Sequence, residues 1–276
     1  MQQGLEVKSL TTIEDMKVVQ KLEAEVWEME PIPIHQTITA VKNGGIMLGA
    51  FYNGELVGFS YGFPGFDRGK SFLCSHMLGI HKNHRDKGIG ALLKEAQKEE
   101  AIRLGYELIR WTFDPLQSRN GYLNLSKLKG ICNDYAVNCY GEMEDGINKG
   151  LPSDRFNIEW WIRSQHVNDN LHNYSEPVRP FRWELTEEGF PILTNIDGDM
   201  RNIADSDDVV SIPIPLQFNE LKVANPALAL QWRKNTRAIF QTLFSKGYTA
   251  FSMTKENEII YMNLIKRDRL KLEKEG

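Results

Sequence analysis

Residues 77–90 read MLGIHKNHRDKGIG, and this stretch decides the fold. Its first, apolar residues predict the end of a β-strand that begins near Ser71. From Ile89 onward, apolar residues recur every three or four positions through Ala96, which predicts one buried face of a long helix that stops near Gly105. The sequence therefore predicts a strand that leads through a basic, glycine-containing turn into a helix.

The turn between this strand and this helix has the composition of a phosphate-binding loop. Backbone N–H groups at the start of a helix favour an anion. Gly88 and Gly90 would let two phosphates approach the main chain, while Arg85 and Lys87 would supply positive charge. The motif alone also allows a basic turn whose glycines only permit tight packing of the strand against the helix.

Other phosphate motifs fit this chain less well. It has no G-x-x-x-x-G-K-[ST] sequence, and the loop lacks the third glycine and the acidic residue of a dinucleotide-binding site. A nucleotide-binding protein is therefore a weak interpretation of this loop.

The rest of the chain predicts alternating helices and strands with few long gaps. Asn53-Gly54 separates two runs of strand formers and indicates a tight hairpin turn. A polar stretch at 164–182 indicates a boundary or an exposed crossing. The predicted elements are a helix from about 12 to 27, an extended loop at 31–39, strands at 46–52, 56–63 and 71–80, a helix from 88, a strand at 108–113, a short helix at 120–127, strands at 136–140 and 209–214, a helix from 225, and strands at 248–253 and 259–265.

Residues 77–90 resemble the central motif of the GNAT (Gcn5-related N-acetyltransferase) superfamily, in which a strand leads to R-x-x-G-x-G and a helix. The order of predicted elements is similar over about residues 6–141. The resemblance implies an α/β (α+β) GNAT fold, with a central mixed, mostly antiparallel sheet flanked by helices. It implies a GNAT acyl-CoA-binding domain over residues 1–165. Residues 166–276 would form a C-terminal α+β extension that covers or completes the substrate site.

The same resemblance implies where an acyl-CoA would bind. Leu78 and Ile80 would offer main-chain groups to pantetheine, and Asn120 would lie near the coenzyme. The residues that would hold the pyrophosphate are Arg85, Asp86, Lys87, Gly88, Ile89 and Gly90. The cofactor expected is acetyl-CoA or another acyl-CoA as co-substrate.

One position departs from the family pattern. The family often has a tyrosine that protonates the leaving thiolate, and Ser126 stands at the matching position here. Because a serine hydroxyl is a much weaker acid, this role could pass to water, Tyr122 or Tyr140.

The family mechanism requires a base that takes a proton from the acceptor amine. His76 and Asp114 are the catalytic candidates; the alternatives are a hydrogen-bonded core histidine and a turn-forming aspartate before proline. Glu28 and Glu30 could meet the amine, although solvated loop charges are the more ordinary interpretation.

Residues 151–163 extend beyond a minimal GNAT domain and suggest an acceptor site. Asp154 and Arg155 are the substrate-binding candidates, and Arg155 with Arg163 could clamp a carboxylate. The alternative is that Asp154 and Arg155 form a structural ion pair and that the neighbouring tryptophans belong to the core.

Composition narrows the class of partner. The chain has 276 residues, with 33 Lys and Arg against 37 Asp and Glu, so it has no electrostatic footprint for nucleic acid. Three unpaired-looking cysteines favour a cytoplasmic protein. The sequence lacks a secretion signal and a membrane-length apolar run.

His81 and His84 are three residues apart, but no third metal ligand lies at a convincing spacing from them, so no metal site is expected.

The sequence therefore predicts an acyl-CoA-dependent N-acyltransferase. It would move an acetyl or related acyl group, with succinyl among the candidates, to the amino group of a small molecule such as an amino acid. The alternative from another class is a catalytically weak acyl-CoA-binding or sensor module. A homo-oligomer is compatible with the sequence.

Overall fold

The computed structural model describes residues 4–141, 150–169, 174–201, 203 and 208–272. The chain divides into two compact units. The first consists of Met1–Trp111 with Trp161–Arg163, and the second of Thr112–Trp160 with Ser164–Gly276. These units are defined by spatial contacts, and their boundaries differ from a division at residue 165. The division into residues 1–165 and 166–276 therefore stays a prediction about the roles of the two segments.

The first unit is built on a mixed, mostly antiparallel sheet with the strand order β1-β2-β3-β4-β5. The first three strand pairs are antiparallel, and β4 pairs with β5 in parallel. The elements are β1 (Leu5–Ser9), α1 (Ile13–Trp27), α2 (Ile34–Lys42), β2 (Ile46–Tyr52), β3 (Glu55–Asp67), β4 (Lys70–Ile80), α3 (Ile89–Arg103) and β5 (Leu108–Phe113). The predicted fold class is confirmed.

Helices cover both faces of this sheet. Met16 and Leu22 of α1 pack with Phe59 of β3 in one buried cluster. On the other face, the side chain of Ile89 in α3 lies against Gly58. Since successive strand residues point to opposite faces, Gly58 and Phe59 show that α1 and α3 lie on opposite sides of the sheet.

The helix predicted from about residue 12 and the predicted hairpin turn both form. The Thr12 hydroxyl accepts from the Asp15 N–H at 3.1 Å, and the Asp15 carboxylate accepts from the Thr12 N–H at 2.9 Å, a reciprocal capping box. Asn53 and Gly54 both have positive φ angles, 51° and 86°, as a tight two-residue hairpin turn requires.

The predicted loop at 31–39 is wrong, because α2 begins at Ile34. Pro33 has a φ of −57° immediately before the helix, where the fixed proline angle is compatible with a helix start. Ile34 and Ile38 then pack against the core cluster of α1. Pro33 therefore marks the beginning of α2 instead of interrupting a helix.

The second unit combines short strands with two helices that pack together. Its elements are α4 (Ser118–Gly121), a π-helix (Tyr122–Lys127), β6 (Tyr135–Ala136), β7 (Arg155–Trp161), α5 (Gln165–Asn168), β8 (Arg182–Leu185), β9 (Pro191–Thr194), α6 (Ile196–Arg201), β10 (Val209–Pro215), α7 (Phe218–Ala224), α8 (Pro226–Ser245), β11 (Tyr248–Glu256) and β12 (Ile259–Lys266). The predicted strand at 136–140 is wrong: after Ala136 the chain turns, and Asn138 adopts a φ of 48°.

A three-stranded antiparallel sheet, ordered β10-β12-β11, supplies much of the core of the second unit. Helix α8 begins at Pro226, and the side chain of its N-cap residue Asn225 accepts from the Leu228 N–H at 3.0 Å. Trp232 of α8 is buried and donates from its indole N–H to the Pro191 carbonyl at 2.8 Å. Among the described helices, none combines the length and the apolar composition needed to cross a membrane.

Candidate functional site

The predicted pyrophosphate loop lies exposed between β4 and α3. A single turn of 3-10 helix, Lys82–His84, precedes it. Gly88 is the N-cap residue of α3 and has a φ of 80°, a conformation that favours glycine. A side chain built at Gly88 would meet no atom within 4 Å, so the space before the helix is open. The first N–H groups of α3 have no intrahelical acceptor and face this space.

Two basic side chains of the loop are fixed by main-chain carbonyls. The Arg85 guanidinium donates from Nε to the Ile80 carbonyl at 3.2 Å, and the Lys87 ammonium donates to the Asn83 carbonyl at 2.9 Å. Both side chains are exposed, as is Asp86, whose φ of 63° is left-handed. Ile89 is buried and anchors the helix on the sheet. The loop therefore has open space, helix N–H groups and two cations together.

Strand β4 leaves one edge of its main chain without a strand partner near the loop. It pairs with β5 only where Leu73 lies opposite Ile109 and Cys74 lies opposite Arg110. Its pairing with β3, in contrast, continues to Ile80. The stretch from Ser75 to Ile80, which includes Leu78, thus has an edge that could bind an extended ligand by main-chain hydrogen bonds. Of the two predicted pantetheine positions, the Ile80 carbonyl already accepts from Arg85.

His76 is the bulged residue of β4. Tyr61 pairs with Met77 and Gly62 with Ser75, so His76 has no counterpart on β3. The ring is exposed at the surface of the strand and contacts Phe63 and Tyr61 edge-on, with centroids 5.6 and 6.3 Å apart. Desolvation by the surrounding protein lowers the pKa of His76, which favours the neutral imidazole that a base requires.

Asp114 occupies a structural position in the second unit. Its carboxylate is buried and receives both Arg233 N–H groups, at 2.7 and 2.5 Å, and the Leu116 N–H at 2.9 Å. A carboxylate in a bidentate pair with a buried arginine has few lone pairs left for a substrate. The geometry favours the structural alternative over the predicted base.

Asp154 is also buried and fully engaged. Arg237 donates to both of its oxygens at 2.8 and 3.0 Å, the Tyr135 hydroxyl donates at 2.7 Å, and the Asn138 N–H donates at 3.0 Å. Desolvation and the carboxylate of Asp154 raise the pKa of Tyr135 far above its ordinary value. The ion-pair alternative is therefore favoured, but with Arg237 as the partner.

The two arginines of the predicted carboxylate clamp contact main-chain carbonyls. In the second unit, buried Arg155 donates to the Asp154 carbonyl at 2.9 Å and lies 5.4 Å from the Tyr140 ring centroid. In the first unit, Arg163 donates to the Ile102 carbonyl at 2.8 Å. Trp160 is completely buried, as expected of a core residue.

Ser126 is engaged with the main chain of β11. Its hydroxyl donates to the Met253 carbonyl at 3.1 Å and accepts from the Met253 N–H at 2.8 Å. Asn120 is exposed on α4. Of the alternative acids, Tyr122 is exposed, and the Tyr140 hydroxyl lies 2.7 Å from the Thr112 hydroxyl. Glu28 and Glu30 are exposed.

A buried lysine was missed by the sequence interpretation. Lys94 of α3 is 3% exposed, and its Nζ lies 2.7 Å from the Ser75 hydroxyl and 3.8 Å from the centroid of the Trp111 ring. Burial lowers its pKa to about 7. The helical spacing gave no signal for it, because Lys94 lies away from the predicted apolar face of Ile89, Leu92 and Ala96.

His81 and His84 lie at the two ends of the 3-10 turn that precedes the loop. His81 Nδ1 accepts from the Asn83 N–H at 3.4 Å, and the rings of His81 and His84 are 6.0 Å apart. In the described part of the chain, no group of three or more His, Cys, Asp or Glu residues is arranged to hold a metal ion.

The first unit is thus an α/β structure in which the fourth strand of a mixed sheet leads through an open glycine loop into a helix. Residues 11–122 match the family model "Acetyltransferase (GNAT) family". This range covers less than half of the chain, contains the open glycine loop and is similar to a GNAT acetyltransferase domain.

Several solved structures are similar to part of this chain. The ribosomal-protein-S18-alanine N-acetyltransferase from Escherichia coli is 14% identical, with a TM-score of 0.47, over 61% of this chain and 99% of that one. Naa50 from Arabidopsis thaliana, in complex with a bisubstrate analogue, is 15% identical, with a TM-score of 0.45, over 56% and 97%. An aminoglycoside acetyltransferase from an uncultured soil metagenomic sample is 18% identical, with a TM-score of 0.39, over 43% and 84%. Comparison with curated protein sequences gives no match.

Proposed function

We propose that this protein is an N-acyltransferase that moves an acetyl or related acyl group from acyl-CoA to the amino group of a small molecule. The observation that carries the proposal is the loop from Arg85 to Gly90, where Gly88 opens the N-terminus of α3 within the matched family region. Amino acids are the leading class of acceptor, and succinyl is an alternative acyl group. The nearly balanced charge of the chain supports a small-molecule partner over nucleic acid.

The residues present fit an acyl-CoA. The helix N–H groups after Gly88, together with Arg85 and Lys87, would bind the pyrophosphate. The free edge of β4 at Leu78 and Ile80 would bind the pantetheine arm through main-chain groups. When bound, the coenzyme supplies the thioester that the acceptor amine attacks.

His76 is the proposed base. Its ring is exposed on β4 and its pKa is lowered, so the imidazole is neutral at neutral pH and can take a proton from the acceptor ammonium group. The neutral amine then attacks the thioester carbonyl, and holding the two reactants together supplies much of the rate. Ser126 contributes no acid to this proposal because its hydroxyl is bound to Met253 in both directions.

A pair of substitutions at one glycine tests the coenzyme site. Gly88→Glu places an anion where the pyrophosphate would bind, and we expect it to abolish CoA binding while the protein stays folded. Gly88→Ala is the control, because it introduces the same strain at positive φ without the charge. Calorimetric titration with CoA measures both. Unchanged CoA affinity in Gly88→Glu would place the coenzyme elsewhere.

A thiol-release screen tests the reaction itself. It crosses acetyl-CoA and succinyl-CoA with free amines, amino acids of both hands and peptides. The second candidate function, an acyl-CoA-binding or sensor module, is favoured by the engaged Ser126 and by the lack of a carboxylate on β4. Binding of acyl-CoA without thiol release from any acceptor would support that module. Thermal stabilisation by ATP or NAD instead of CoA would support a nucleotide-binding protein.

A further inference from the structure

The pairing of β4 with β5 ends beside a buried cation. The last paired residues are Cys74 and Arg110. The next residue on each strand, Ser75 and Trp111, contacts the same side chain, that of Lys94 on α3. The Lys94 ammonium therefore lies at the point where the two parallel strands separate. All of these residues belong to the first unit.

The polar cluster around Lys94 has more hydrogen-bond donors than acceptors. The Ser75 hydroxyl accepts from Lys94 Nζ and donates to Gln97 Oε1, both at 2.7 Å. Gln97 Oε1 also lies 3.5 Å from Lys94 Nζ. Within the described ranges, no carboxylate lies within ion-pair distance of Lys94 Nζ, and the completely buried Gln97 Nε2 finds no acceptor. A buried cation without a counter-ion is best complemented by a ligand atom that carries or develops negative charge.

The coenzyme sulfur is the atom that would meet this cluster. The inference rests on the proposed function, which binds the pyrophosphate at residues 85–90 and the pantetheine arm along the free edge of β4. Following β4 from Ile80 back to Ser75 leads away from the pyrophosphate loop to the point where β4 and β5 separate. The sulfur ends the pantetheine arm, and it becomes negatively charged when the thioester breaks.

We propose that Lys94 is a catalytic residue whose ammonium group stabilises and then protonates the CoA thiolate, with Ser75 and Gln97 holding that ammonium in position. As the acceptor nitrogen bonds to the acyl carbon, the C–S bond breaks and its electron pair passes to sulfur. Lys94 gives sulfur a proton, so CoA leaves as a thiol. The proton lost by the acceptor passes to His76 or water, and the neutral Lys94 amine regains a proton from solvent.

The electrostatics of the site suit an acid. Burial lowers the pKa of Lys94 to about 7, and the nearby Cys74 on β4 partly opposes this shift. Cys74 is the titratable group that affects the pKa of Lys94. The side chains that contact Lys94 from β5 and from α3 are neutral: Trp111 and Gln97. An acid whose pKa lies near the working pH transfers its proton most effectively.

Binding of CoA and of desulfo-CoA, which lacks the sulfur atom, tests the contact without knowledge of the acceptor. We expect the wild-type protein to bind CoA at least about tenfold more tightly, because a hydrogen bond joins Lys94 Nζ to the sulfur. This preference should vanish in Lys94→Met. Lys98→Met, which removes a lysine one turn further along α3, is the matched control and should preserve it.

Turnover provides a second readout once the screen supplies an acceptor. Lys94→Met should lower kcat about 10²- to 10⁴-fold, the range of general acid catalysis, with little change in the KM for acyl-CoA. Equal affinity of the wild-type protein for CoA and desulfo-CoA would overturn the role of Lys94 even if Lys94→Met failed to fold. So would discrimination that survives in Lys94→Met. If the wild-type protein binds neither compound, the proposed function fails as well.

Discussion

At the scale of single residues, charge burial separates structural groups from reactive ones. Asp114 and Asp154 are buried with arginine partners, whereas Lys94 is buried without a carboxylate partner among the described residues. A paired buried charge costs stability when its partner is removed, and an unpaired one costs stability while it stays charged. The two kinds of site therefore respond differently to substitution.

Asp114→Asn should destabilise the protein by about 3–5 kcal/mol, because it leaves the Arg233 guanidinium buried without its counter-ion. Urea unfolding measures the change. Asp208→Asn is the control: its pair with Arg269 is exposed on both sides, so we expect a loss of at most about 1 kcal/mol. A stable Asp114→Asn protein that binds CoA but has lost turnover would instead establish Asp114 as the base.

Lys94→Met should change how stability depends on pH. The pKa of Lys94 is about 7 when folded and about 10.4 when unfolded, so between these values the unfolded chain binds more protons. The stabilisation of the wild-type protein relative to Lys94→Met should therefore rise with pH, by up to ~1.4 kcal/mol per pH unit.

Unfolding free energies at about pH 6 and about pH 9 measure this difference. Lys98→Met again serves as the control, because its lysine is partly exposed and pairs with Glu95. A parallel pH dependence in the wild-type protein and in Lys94→Met would show that Lys94 keeps an ordinary pKa in the folded state.

At the scale of elements, the sequence predicts those whose signals are local. The capping box of α1 and the Asn53-Gly54 turn need only neighbouring residues, and both are confirmed. Helix α2 was missed because its apolar residues pack on a distant core that outweighs the two prolines before it. Lys94 was missed because a helical pattern assigns lysine to the solvent face, whereas here Ser75 and Trp111 surround its amine.

The connection between α1 and α2 is held by two hydrogen bonds to the main chain of a single residue, Ile32. The Ile32 N–H donates to the Glu23 carboxylate at 3.0 Å, and the Gln20 amide donates to the Ile32 carbonyl at 2.7 Å. Burial raises the pKa of Glu23. These two hydrogen bonds fix the residues between the two helices next to β4, where Trp27 at the end of α1 lies against Gly79.

Glu23→Ala should destabilise the protein by about 1–3 kcal/mol, because the Ile32 N–H is left without its acceptor. Glu23→Gln keeps an oxygen in the same place, so we expect it to cost less than about 1 kcal/mol. Thermal unfolding of the two variants measures the difference. Equal losses would show that the negative charge, and not the hydrogen bond, matters at this position.

At the scale of the whole molecule, the second unit depends on residues far apart in the chain. Arg233 and Arg237, one turn apart on α8, bind Asp114 and Asp154. The pyrophosphate loop could be predicted because its residues are contiguous, but no local pattern reveals which arginine neutralises which aspartate. Asp154 was matched to the adjacent Arg155 for that reason, whereas the structure gives it Arg237.

A fragment of residues 1–165 should therefore fail to fold cooperatively, although the sequence predicts a GNAT domain over this range. It retains Asp114 and Asp154 but lacks the arginines of α8, and it loses the β11 main chain that binds Ser126. Circular dichroism and thermal unfolding, compared with the full chain, measure this. A sharp unfolding transition in the fragment would show that residues 112–165 fold without α8.

The separation of Asp114 and Arg233 along the chain also determines when their ion pair can form during synthesis. They are 119 residues apart, and ribosomes add about 5–20 residues per second, so Asp114 waits roughly 6–24 seconds for its partner to be made. During that interval the Asp114 carboxylate of the nascent chain lacks Arg233, the partner with which it is buried in the folded protein. The second unit therefore cannot be completed until α8 has been synthesised, and this interval is the time in which chaperones can bind the unfinished chain.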